Sequence, residues 1–125
     1  MDKAHGPKFL ALVKGSRKRV KELSVDEVKE KLDGSEGFRL IDVREGEEYA
    51  RGHLPGAESL CKGIIERDIE AIAPDLEAPI VLYCGGGYRS ALAADNLRAM
   101  GYRNVSSMWG GWRGWTVKGY PCESG

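Results

Sequence analysis

Pro79-Ile80-Val81-Leu82-Tyr83-Cys84-Gly85-Gly86-Gly87-Tyr88-Arg89-Ser90 decides how the rest of the chain is read. Ile80 to Tyr83 is an apolar run of strand length without a polar break, the pattern of a central strand covered on both faces. It ends at a thiol, three glycines follow, and a helical pattern opens at Tyr88 or Arg89 and runs to Met100, where Gly101 stops it. Strand, glycine loop and helix in that order put Cys84 at the carboxyl end of a strand, where open α/β sheets bind their ligands. The loop amides and the positive end of the following helix both favour an anion there, including the thiolate, the nucleophilic form of cysteine. The plain alternative is a buried cysteine serving as a small hydrophobe before an ordinary glycine turn. Its place at the strand end, the tight loop and the fixed cation Arg89 together favour chemistry.

Outward from that stretch, strands and helices alternate, which points to an α/β domain with a largely parallel sheet. A helical arm is expected over about Pro7–Lys14, then a short edge strand over Arg19–Leu23. Ser24-Val25-Asp26-Glu27 is a capping box opening an amphipathic helix that Gly34 ends. Phe38–Val43 reads as a strand, Glu45–Ala50 as a short helix and Gly52–Gly56 as a turn. Ala57–Leu60 suits a short strand, Ile64–Ala73 a helix stopped by Pro74, and Asn104–Ser107 a last strand before a tryptophan-bearing helix. The expected organisation is a basic arm over 1–18, an α/β domain over 19–121 and a tail over 122–125.

At 125 residues the chain supports one core, and its 42% hydrophobic and 30% charged residues are ordinary for a globular domain. No apolar run approaches the ~20 residues that span a bilayer. Phe9–Val13 is too short for the core of a signal peptide, so a cytoplasmic location is expected. Three cysteines (61, 84 and 122) without Cys-x-x-Cys spacing argue against a disulfide scaffold or a structural zinc site, and no metal or organic cofactor is expected. Net charge is zero but uneven: residues 1–21 carry seven Lys/Arg against Asp2, net +6, leaving −6 for the remainder. Such a run suits a solvated face or an arm folded onto its own acidic domain, and it could also dock an acidic partner. The Lys14–Lys21 cluster lacks interleaved aromatic residues, so neither nucleic acid nor membrane is expected as a partner.

The chain resembles the single-domain rhodaneses, a sulfurtransferase family. The resemblance rests on Leu40-Ile41-Asp42-Val43-Arg44-Glu45, on Glu48-Tyr49 with Gly52-His53-Leu54-Pro55-Gly56-Ala57, on Cys84 with Gly87, Arg89 and Ser90, and on Gly110-Gly111-Trp112 with Trp115. These segments occur in the family's order over roughly residues 19 to 120. The resemblance implies a rhodanese-like three-layer sandwich, a five-stranded, mostly parallel sheet with helices on both faces. It also implies that Cys84 accepts a sulfane sulfur from a thiosulfate-type donor, becoming a persulfide, and passes it to cyanide or a thiol. Amides of Gly85, Gly86, Gly87, Tyr88 and Arg89 are the expected cradle for that anion. Four residues separate Cys84 from Arg89. The cysteine-dependent phosphatases that resemble this family have five, which disfavours phosphate as the ligand.

The remaining candidates have duller readings beside them. Arg44 is a candidate anion contact or a loop-pinning cation, with Asp42 structural. Lys62 is a candidate for steering an anionic donor or a plain surface lysine. For His53 a structural hydrogen bond is preferred to general-base catalysis, and the three tryptophans are expected in the core and pocket wall. Cys61 suits burial more than a resolving role. The second functional reading is a sulfur carrier that receives persulfide from one partner protein and hands it to another.

Overall fold

The computed structural model describes residues 5–125. Its elements are α1 (Pro7–Arg19), β1 (Lys21–Leu23), α2 (Val25–Asp33), β2 (Arg39–Asp42), α3 (Gly46–Arg51), β3 (Glu58–Ser59), a 3-10 turn (Lys62–Ile64), α4 (Ile65–Ile72), β4 (Ile80–Tyr83), α5 (Tyr88–Ala99), β5 (Val105–Met108) and α6 (Gly111–Val117). Five strands form one sheet in the order β1-β5-β4-β2-β3, and every pairing is parallel. β4 lies at its centre, as the unbroken apolar run Ile80–Tyr83 requires.

Side chains alternate across β4 and so divide the core. Ile80, Leu82 and Cys84 face Ile65 and Ile69 of α4 and Ala93, Ala94 and Leu97 of α5. Val81 and Tyr83 face Val25 and Val28 of α2 and Trp115 of α6. Helices therefore cover both faces, giving the three-layer α/β arrangement expected from the sequence. At α2 the capping box is formed in full: the Glu27 amide donates to Ser24 Oγ at 3.0 Å and the Ser24 amide to Glu27 Oε1 at 2.7 Å.

α1 runs five residues beyond the expected Lys14, through Gly15 and Ser16, two weak helix formers. Packing on α5 decides this. Val13 and Ser16 are buried, Ser16 Oγ donates to Asp95 Oδ2 at 3.0 Å, and Arg19 forks onto the same carboxylate, with Nη2 at 2.6 Å. The expected edge strand thus starts at Lys21, and β3 is two residues shorter than the Ala57–Leu60 reading.

Asp95 is held down to about 2, first by the Arg19 hydrogen bond, then by Ser16 and Arg98, against an opposing burial cost. A carboxyl depressed below its ordinary value of roughly 3.9 stabilises fully above that pH and loses its contribution as pH falls towards 2. Asp95→Ala is expected to cost about 1–2 kcal/mol, between the scale of an exposed ion pair and that of a hydrogen bond to a charged group, since Arg19 and Arg98 are half exposed. Amide exchange across residues 7–19 should accelerate with it. Unchanged exchange would show that Val13 packing alone holds α1.

Candidate active site

The site lies at the carboxyl edge of the sheet, where the loop after β4 meets α6 and the start of α1. Cys84 follows β4 directly, and its side chain is 1% exposed at the bottom of a cavity of about 120 Å³. The cavity is lined by Cys84, Gly85, Gly86, Tyr88 and Arg89 of the loop and by Arg113, His5 and Phe9 from outside it.

The orientation of the loop is set from behind by α6. The first amides of a helix have no partner within it. Here Gly110 N donates to Gly86 O (3.1 Å), Trp112 N to Cys84 O (2.8 Å) and Arg113 N to Gly85 O (3.0 Å). In a trans peptide the N–H points opposite to the preceding C=O. Carbonyls 84–86 drawn towards α6 thus turn the amides of Gly85, Gly86 and Gly87 to the cavity side.

The sulfur is held accordingly. Gly87 N donates to Cys84 Sγ at 3.1 Å and Ser90 N at 3.4 Å, so the sulfur sits on the first turn of α5. The thiol lies 3.5 Å from Ser90 Oγ, which shares a 2.8 Å hydrogen bond with Ser107 Oγ of β5. Gly87 has φ +114°, and a Cβ there would lie 2.8 Å from the Trp109 ring, so only glycine suits both its backbone and its space.

Arg89 lines the cavity and binds Glu48 Oε1 of α3 at 3.2 Å. Burial works against its charge, but the Glu48 hydrogen bond and the Cys84 sulfur outweigh burial and raise its guanidinium above the ordinary value. Both sequence readings of Arg89, a loop-fixing ion pair and a cation beside the sulfur, describe one side chain.

The structure places the other candidates elsewhere. Arg44 is 3% exposed, pairs with Asp42 through Nη2 at 2.7 Å, and donates to Gly52 O at 2.6 Å. It lies 4.8 Å from the Trp112 ring centroid and lines a second hollow with Glu48 and Arg51, not the one over Cys84. Lys62 sits in the 3-10 turn, its amide bonded to Val43 O at 2.9 Å, and does not line the Cys84 cavity. Cys61 is half-buried and directs its thiol to Glu45 Oε2 at 3.3 Å, and Cys122 is exposed. His53 stacks flat on Tyr49, centroids 3.7 Å apart, with Nδ1 2.9 Å from Tyr49 O. Trp115 is fully buried, Trp112 walls the Arg44 hollow, and Trp109 supports Tyr88 at 5.7 Å.

Sequence reasoning missed Ser90 N as a donor, Arg113, and the pair His5 and Phe9. For Arg113 a signal existed, since it lies next to the Gly110-Gly111-Trp112 segment that follows the last strand. For His5 and Phe9 there was none, because nothing local says that α1 folds back over the cavity. No group of His, Cys, Asp and Glu among the described residues could hold a metal ion, and no helix among them is long and apolar enough to cross a membrane.

The rhodanese-like domain family matches residues 24–118, and the chain belongs to that sulfurtransferase family. "Putative sulfurtransferase YtwF" of Bacillus subtilis is 36% identical over 82% of this chain and 96% of its own length. "Putative sulfur carrier protein YrkF" of the same organism is 33% identical over 79% of this chain, which spans 52% of that relative's length. Among solved structures, a Rhodopseudomonas palustris protein described as "Possible Tyrosine Phosphatase" superposes with a TM-score of 0.85 and 27% identity over 95% of both chains. A thiosulfate sulfurtransferase from Pseudomonas aeruginosa superposes with a TM-score of 0.83 and 25% identity, over 94% of this chain and 23% of that one.

Gly111 has φ +56°, and a Cβ on it would lie 2.5 Å from Cys84 O and 2.7 Å from Gly85 O, atoms fixed in the loop backbone. Gly111→Ala is expected to cost about 2 kcal/mol or more from left-handed strain and this collision. It should also change the alkylation rate of Cys84 by iodoacetamide. Gly46→Ala, with open space around it, is the control expected to do neither.

Proposed function

We propose that this protein moves a sulfane sulfur from a thiosulfate-type donor to cyanide or a thiol through a persulfide on Cys84. The observation that carries the reading is the buried Cys84 sulfur. It sits at the bottom of a small cavity, receives the amides of Gly87 and Ser90, and has Arg89 beside it. These groups favour a thiolate before reaction and a persulfide anion after it.

The first half-reaction is a displacement at sulfur. Cys84 thiolate attacks the outer sulfur of thiosulfate, the donor's S–S bond breaks, and sulfite leaves with the electron pair. The new terminal sulfur extends ~2 Å beyond Sγ into the cavity, where the Gly85 and Gly86 amides face it. In the second half an acceptor attacks that terminal sulfur. Cyanide forms a C–S bond, the persulfide bond breaks, thiocyanate leaves and the thiolate returns. Nothing in this cycle needs a general base, consistent with His53 being occupied by Tyr49. Arg44, neutralised by Asp42 and turned to another hollow, acts in this scheme by pinning the loop rather than by touching donor.

Phosphate transfer is the weaker reading despite the phosphatase description of one structural neighbour. The four-residue spacing from Cys84 to Arg89 and the direct use of two amides on sulfur suit a sulfur atom better than a tetrahedral phosphate. The carrier reading has one specific support, the name of the relative YrkF. In that version the donor and acceptor are proteins, and α1, with its net basic charge, takes part in docking.

Intact mass after brief exposure to thiosulfate is expected to rise by about one sulfur, ~32 Da, on wild-type protein and to revert with cyanide. Cys84→Ser should gain nothing, whereas Cys61→Ser and Cys122→Ser should load normally. Steady-state lines should be parallel in double-reciprocal form, since the first product leaves before the acceptor binds. No adduct on wild type would remove thiosulfate as the donor. Loading by a protein persulfide, lost on removing residues 1–18, would then favour the carrier.

A further inference from the structure

β5 lies beside the central strand, with Ile80 paired to Val105 and Leu82 to Ser107. Ser107 therefore shares the face that Ile80, Leu82 and Cys84 turn to α4 and α5, a face filled with aliphatic side chains. It is 0% exposed there, as is Ser90 of α5. Two hydroxyls buried among aliphatic groups cost desolvation that alanine would avoid, so packing alone does not account for them.

Their hydrogen bonds do. Ser107 Oγ lies 2.8 Å from Ser90 Oγ, and Ser90 Oγ lies 3.5 Å from Cys84 Sγ. Neither hydroxyl has a further partner among the described residues. If Ser90 donated to Ser107, the Ser107 proton would be left without an acceptor in a fully buried place. If Ser107 donates to Ser90, Ser90 has the sulfur left to donate to, and both hydroxyls are satisfied. The chain therefore runs from Ser107 through Ser90 to Cys84, with sulfur as its accepting end. A serine in a helix otherwise turns its hydroxyl back to a carbonyl of the preceding turn. Ser107 holds this one on the sulfur.

We propose that Ser107 is a positioning residue for the sulfur chemistry proposed above for Cys84: it fixes the Ser90 hydroxyl as a donor to Sγ and so favours the thiolate. Ser107 acts through Ser90 and does not line the cavity. Both hydroxyls already donate along the chain, so the thiol proton leaves through the cavity to water. The charged or titratable groups around the cavity are Arg89 with Glu48 behind it, Arg113, His5 and Tyr88. None of them bonds to either hydroxyl.

The test is the rate of Cys84 alkylation by iodoacetamide at two pH values, in a Cys61→Ser, Cys122→Ser parent so that one thiol is read. At about pH 6, below the ordinary thiol value, the rate follows the thiolate fraction. Ser90→Ala should slow it ~10-fold and Ser107→Ala ~3-fold, the scales of losing and of misplacing one hydrogen bond to a charged group. At about pH 10 each variant should react at least as fast as the parent, because a thiolate relieved of a donor is the stronger nucleophile. Ser107→Thr keeps the hydroxyl and should match the parent, whereas Ser107→Val, of the same shape, should match Ser107→Ala. In a Ser90→Ala background, Ser107→Ala should add less than ~1.5-fold, since its route to the sulfur is gone. That double variant leaves no hydroxyl unpaired and stays folded even where a single one is weakened. Equal slowing at both pH values, equal rates for Ser107→Thr and Ser107→Val, or additive losses in the double variant overturn the positioning role. Failure of wild-type protein to gain sulfur from thiosulfate bears on the Cys84 reading instead, because alkylation uses no sulfur donor.

Discussion

Three hydrogen bonds between the start of α6 and the carbonyls of Cys84, Gly85 and Gly86 are the constraint on which the site depends. A helix N-terminus must find acceptors for its first amides. This one takes them from the loop that carries the cysteine. Because a peptide unit is planar, fixing the carbonyl side fixes the amide side as well. The amide face towards the cavity is thereby set by a contact on the opposite face of the same peptides. Two glycines follow from this closeness: Gly111, whose α-carbon abuts the loop backbone, and Gly87, which turns the chain into α5 beneath Trp109.

Around that clamp, opposite charges are used to secure neighbouring loops. Asp42 at the end of β2 receives Arg44, and Arg44 reaches on to Gly52 O, tying β2 to the turn after α3. A buried pair of this kind costs desolvation on both sides, so fixing geometry is a better account of it than net stability. Glu48 of α3 does a similar thing for Arg89. The consequence for chemistry is selective. Cations that looked available in the sequence are spent on architecture, and Arg113 is left facing the cavity.

α1 adds a wall to the site from outside the span of the family match. The strand–loop–helix unit with Cys84 is complete without it, and the family match begins after it. Yet α1 lies on α5 through Asp95, Ser16, Arg19 and Val13, and carries Phe9 to the edge of the cavity. Of the two readings of this basic stretch, a solvated face or an arm folded onto its own acidic domain, the structure takes the second on one side of the helix, through Asp95. Its remaining lysines, such as Lys8, Lys14 and Lys18, face solvent.

Much of this was legible in the sequence, because its causes are local. An unbroken apolar run makes β4 central, a capping box starts α2, and a thiol before three glycines and a helix sets Cys84 in a tight loop at a strand end. Alternation along β4 even divides the two halves of the core. What the sequence left open depends on contacts between residues far apart in the chain. The length of α1 is decided by Asp95, some eighty positions away, which overrides the weak propensity of Gly15 and Ser16. The separation of Arg44 from the cavity and the presence of Arg113, His5 and Phe9 at it depend on which loops the parallel order β1-β5-β4-β2-β3 brings together. Periodicity and caps report on neighbours within a few residues. Which cations are spent and which are free is settled only when the sheet closes the distance between them.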